Sequence, residues 1–209
     1  LGAWSSGSVG VDRSVNNLGP IQLDLLAPFT RLAPAGGTAI AAGLVNVAAI
    51  VVAAWLLGRV GGRRATLVAM VPIGLLTWTM GSEMLITPRQ HQFLILTYLC
   101  FLIAAWAAAA GDRWAIVPAV ATASLLTQTH LSYPILVAAV GVVAIVGQLL
   151  AWRRSDDRST WTRPWAIGAV LAFVLWSQTI YDQFFGWGNF TDVLASPGSG
   201  TQPGWRTAA

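Results

Sequence analysis

The side chains of this chain that could move a proton or grip a phosphate fall in a few short polar stretches. In GSEMLITPRQH, Glu83, Arg89, Gln90 and His91 surround Pro88, which breaks any helix there. The planar fork of Arg89 suits phosphate oxygens, and Glu83 is a carboxylate able to accept a proton. The plainer reading of the two is an exposed ion pair at a helix end. QTHLSYP sets Gln128, His130, Ser132 and Tyr133 at a helix junction, where His130 could donate to a phosphate or act as acid or base, and where a hydrogen-bonded turn is the simpler role. In NNLGP, Asn16 and Asn17 precede Gly19 and Pro20, so Asn17 stands where the first backbone N–H groups of a following helix could receive an anion; a turn is the simpler account. Gln178, Tyr181 and Asp182 share one helix face by their spacing of three and four.

Two histidines and a lone Cys100 supply too few soft ligands for a zinc site, and dinucleotide, P-loop and HExxH patterns are absent. No cofactor is specified by these motifs; a divalent metal ion stays open. Asn189-Phe190-Thr191 fits a glycosylation sequon but reads as chance.

The elements that must carry these groups are set by composition. Of 209 residues, 56% are hydrophobic and only 10% charged, with a mean hydropathy of +0.64, which fits no ordinary soluble chain. About 20 helical residues cross a hydrocarbon core of roughly 30 Å, and apolar runs of that order recur. The pattern predicts an all-α, polytopic integral membrane bundle with about six transmembrane helices, over 36–58, 65–82, 92–110, 114–129, 131–151 and 165–181. An extracytoplasmic loop over 1–35 precedes them, carrying in QLDLLAPF a short amphipathic interfacial helix that ends or breaks near Pro28. A second extracytoplasmic stretch, 182–209, follows.

The net charge of +4 and pI near 10.2 do not point to nucleic acid: all twelve basic residues are arginine, and they lie in short loops. Arg59, Arg63 and Arg64, then Arg113, then Arg153, Arg154, Arg158 and Arg163 fall on one side under strict alternation, which should be the cytoplasm. The opposite side then receives Asp12, Asp24, Glu83, Arg89, His91, His130, Tyr133 and Asn17. The absence of lysine beside abundant Ala, Val, Gly and Trp suggests a high-GC, actinobacterial-like source and a multi-pass location in a bacterial inner membrane.

The succession WSSGS, NNLGP, QLDLLAPF, GSEMLITPRQH and QTHLSYP resembles the bacterial branch of the C-fold membrane glycosyltransferases. The resemblance would cover the whole chain through loose motifs. It implies that the sequence is a piece beginning after the first membrane helix, since the Gly-Asp pair common in that family's first outer loop would fall upstream of Leu1. It implies an inverting hexosyl- or pentosyltransferase that takes its sugar from a polyprenyl-phosphate donor, among membrane lipids. Asp12 would be the catalytic base, with Glu83 the other candidate, and Arg89, His91 and His130 would stabilise the departing phosphate. A transporter or flippase predicts polar groups near span midpoints, whereas Asn46, Thr77, Thr97 and Ser124 are scattered. A non-catalytic membrane subunit is the third reading.

Overall fold

A computed structural model describes residues 17–186 and 188–191. Among these, every regular element is helical: α1 (Ile21–Leu32), α2 (Gly37–Ile86), α3 (Gln90–Phe93), α4 (Ile95–Ala109), α5 (Ile116–Thr129), α6 (Tyr133–Arg154) and α7 (Ser159–Phe185). A single 3-10 turn, Arg113–Ala115, leads into α5. Four stretches are long and apolar enough to cross a membrane: α2, α3 with α4 as Gln90–Ala109, α6 and α7. The described residues thus form an all-helical chain with four apolar stretches of membrane-spanning length.

The expected spans at 36–58 and 65–82 form one 50-residue element, α2. It does not run straight. Asn46 Nδ2 donates to the carbonyl of Leu85 at 2.7 Å, and residues that far apart in one continuous helix would lie about 60 Å from each other. The fold-back occurs at Gly62, whose φ of 70° lies in the left-handed region that a side chain disfavours, and Gly81, at φ 65°, breaks the returning arm near its end.

Three other expectations differ in detail. The 114–129 span is only the 14-residue α5, about 21 Å long and short of a full crossing. The last span begins at Ser159 rather than 165, because Asp157 Oδ1 accepts the backbone N–H of Ser159 at 3.0 Å and starts the helix before the charged residues have passed. Helix α1 also continues through Pro28 to Leu32; the bond that proline forgoes, to the Asp24 carbonyl, lies on the exposed side.

Helix α4 is the centre of the bundle, packed against α2, α5 and α6, while α7 lies on α5 and α1 bridges α2 and α5. Its alanines explain the closeness. Ala104, Ala105, Ala107 and Ala108 are buried with Leu56, Ala115, Ala119 and Ala144, and a Cβ added at Gly147 would stand 2.4 Å from Ala109 Cα. Small residues let backbones meet where dispersion, not hydrophobic burial, holds helices together. Side chains on the outer faces, such as Ile135 at 80% exposure and Trp78 at 85%, are those a bilayer would solvate.

Candidate functional site

Polar side chains collect at the two ends of the bundle, and the ends differ. One end gathers the chain before α1, the α2–α3 connection, the α5–α6 junction and the end of α7. Its anchor is Gln128, fully buried near the end of α5. Its side-chain amide donates to the Leu175 carbonyl at 2.9 Å and accepts from Thr179 Oγ1 at 3.4 Å, which ties α5 to α7. The backbone carbonyl of Gln128 accepts from Gly19 N at 3.2 Å, so the NNLGP segment lies against α5. A Cβ on residue 19 would fall 1.8 Å from Gln128 Oε1, so any other residue must push the Gln128 amide aside. Asn189 Nδ2 donates to the Asn17 carbonyl at 3.1 Å, and both residues are buried. Gln22, also buried, donates to the Pro88 carbonyl at 2.7 Å and draws the loop before α3 onto α1.

These bonds bring the two histidines together. The rings of His91 on α3 and His130 at the end of α5 stand edge to face, with centroids 4.5 Å apart. Tyr133 stands edge-on to His130 at 6.2 Å, and Tyr98 meets Tyr133 at 5.3 Å. The backbone N–H of Ser132 donates to His130 Nδ1 at 3.2 Å. A neutral His130 accepting there carries its proton on Nε2, and it presents a hydrogen-bond donor. Partial burial holds the His130 pKa below its ordinary value, and the neighbouring His91 lowers it further. The same geometry disfavours a metal at Nε2, because Nδ1 would then have to take the proton and give up the Ser132 bond. Among the described residues no three of His, Cys, Asp and Glu assemble into a metal-binding group.

The remaining sequence candidates are placed as follows. Arg89 is exposed at the start of α3, two residues from His91, and Glu83 is exposed near the end of α2. Asp24 is exposed on α1. Asn17 is buried in the loop that Gln128 and Asn189 hold. Asp12 lies outside the described residues, as does Asn16. The Thr129 hydroxyl, one residue before His130, is buried without a partner among the described residues.

The opposite end combines an ion pair with a buried amide. Arg59, just before the Gly62 bend, pairs with Asp112 through two bonds, Nε to Oδ2 at 2.5 Å and Nη2 to Oδ1 at 2.9 Å. Asp112 Oδ1 also accepts Trp114 N at 3.0 Å and so starts the 3-10 turn. Gln148, buried in α6, donates to the carbonyls of Ala108 and Asp112 and accepts from Trp165 Nε1 at 3.3 Å. Arg59 and Arg158 lie over the rings of Trp55 and Trp152, at 5.0 and 5.1 Å.

Sequence reasoning weighed Gln128 only as part of its junction and passed over Gln148 and Asp112. A signal existed. A lone amide inside an apolar run, as in VVAIVGQLL, is costly unless it bonds across helices, so its presence alone marks an interhelical tie.

A slot of about 520 Å³ opens between α2 and α5, floored by α4 and edged by α1 and α7. Among the side chains that line it only Thr97 and Thr122 carry hydroxyls, and that of Thr122 is bonded to the Pro118 carbonyl of its own helix at 2.6 Å.

No protein-family model, curated protein or solved structure matches this chain.

Proposed function

We propose that the chain is the membrane core of a bacterial glycosyltransferase-like protein, crossing the inner membrane about six times with the arginine-bearing end in the cytoplasm. It passes a sugar from a polyprenyl-phosphate donor to an acceptor on the other side. The observation that carries this reading is the His91–His130 pair, set against the buried Asn17–Gly19 loop at the end where the arginines are few. A phosphate leaving group needs donors fixed in place before charge develops, and a neutral His130 with its proton on Nε2 is such a donor. Exposed Arg89 brings a permanent positive charge close by, at the residue that precedes the short helix of His91.

The resemblance assigns the proton-accepting carboxylate to Asp12, with Glu83 as the second candidate. Polar side chains inside the spans favour transfer over passage. Asn46 Nδ2 is committed to Leu85, Ser124 Oγ accepts from Trp176 Nε1 at 3.1 Å, and Gln148 is committed to the α4 end, so they join helices rather than line a path.

The test is transfer of radiolabelled sugar from synthetic polyprenyl-phosphate donors by the full-length protein in nanodiscs. His130→Ala and Arg89→Ala should each lower the rate by about 10²-fold, the usual consequence of losing one preorganised donor to a developing anion. Asp12→Asn and Glu83→Gln compare the two carboxylates, and only the true base should abolish turnover. Wild-type protein that is folded yet inert with hexosyl and pentosyl donors would overturn the proposal.

A further inference from the structure

The apolar slot belongs to neither polar end, and its walls say what could fill it. Helices α2 and α5 both pack on α4 but barely meet each other, and the gap between them is the slot. Along α2 it runs from Val45 to Trp55, roughly 15 Å at 1.5 Å per residue. Water would gain almost nothing from such walls, while a hydrocarbon chain would lose nothing by leaving the bilayer for them.

The two mouths are unlike. Toward the histidines the slot runs under α1, where Ile21 is 7% exposed. At the other end Trp55 is 46% exposed and Trp114 half-buried. Around that mouth stand Arg59 over Trp55, Arg113 next to Trp114, and Arg63 and Arg64 just past the bend. The loops at this end hold eight arginines against three aspartates, Asp112, Asp156 and Asp157, and Asp112 is already paired with Arg59. A lipid entering here would put its tail between α2 and α5 and its phosphate among guanidinium groups.

We propose that the slot is a binding site for one acyl chain of an anionic glycerophospholipid, whose headgroup phosphate rests at the arginine end beside Arg113. This lipid is not the sugar donor: its head lies at the end of the bundle opposite the histidine pair. It wedges α2 and α5 apart at a fixed spacing.

The test is titration of the full-length protein with phosphatidylglycerol and, separately, phosphatidylcholine, followed by native mass spectrometry. Phosphatidylglycerol should bind at least about tenfold more tightly. Ala121→Phe, which fills the slot, should abolish the tight site for both lipids. Arg113→Gln, a change of charge at a partly buried residue of similar length, should weaken phosphatidylglycerol about fivefold and leave phosphatidylcholine unchanged, the effect of removing one arginine near a lipid phosphate. Equal affinity for the two lipids, or an Arg113→Gln protein that binds phosphatidylglycerol as wild type does, would overturn the proposal. So would displacement of the bound lipid by a polyprenyl phosphate, which would make the slot the donor's own. The readout is binding, so its failure is separate from any failure of sugar transfer.

Discussion

The two ends of this bundle solve the same problem by different means. At the histidine end, Gln128, Gln22 and Asn189 hold loops through neutral amide bonds to backbone carbonyls, and all three are buried, as is Asn17, whose carbonyl accepts from Asn189. At the arginine end a paired guanidinium and carboxylate hold the bend of α2 to the start of α5. An amide tie is indifferent to salt and pH and leaves the electrostatic potential to whatever else is present. A charged tie sets the potential itself. The end that keeps its scaffold neutral is the end at which the few ionisable groups, His91, His130 and Arg89, can respond to a ligand.

The largest effect that would sharpen this contrast is on transfer. Gly19→Ala should lower turnover at least tenfold with no loss of helix content, because the new methyl must displace the Gln128 amide and release the loop before α1. Circular dichroism beside the transfer assay checks it; unchanged turnover would mean that the loop's placement does not matter.

Stability should separate the ends next. Asp112→Ala removes the largely buried carboxylate of the ion pair with Arg59 and the start of the 3-10 turn, and should cost about 1–3 kcal/mol. Because Arg59 is 38% exposed, that loss should shrink in about 1 M salt. Gln128→Leu should cost about 1–2 kcal/mol and show no salt dependence. Equal salt sensitivity in the two variants, read from thermal unfolding in detergent, would erase the distinction.

The smallest effect is a titration. A histidine held below its ordinary value binds fewer protons in the folded than in the unfolded state. The histidine end therefore keeps its stability above pH 6.5 and loses some as pH falls through that value. His91→Gln removes one of the two causes and should raise the His130 pKa, measured by NMR; with only two histidines, the variant also assigns the resonance. A His130 value that stays put would show that burial alone sets it.

Much of the helical framework was legible in sequence because a bilayer imposes a coarse rule, about 20 apolar residues between polar breaks, and arginines mark the breaks. The rule is blind to what happens within a break. It placed three arginines between two spans without showing that Gly62 alone makes the turn, whereas the short fourth span it drew at 114–129 is the 14-residue α5. The candidate site was legible as a list of polar loops. The meeting of His91 with His130 was not, since it depends on Gln22 drawing the Pro88 loop inward and on Gln128 fixing the junction, both tertiary contacts between residues distant in the chain. Helix α7 starts early for a local reason, the Asp157 cap, which a reading led by hydropathy passes over.

The fold-back at Gly62 also bears on how the protein is made. With its returning backbone confined to a single left-handed glycine and three arginines gathered around it, the pair of arms has no slack in which one could enter the bilayer and wait for the other. Two arms joined so tightly would have to enter a bilayer together, as one hairpin with the three guanidinium groups at its tip.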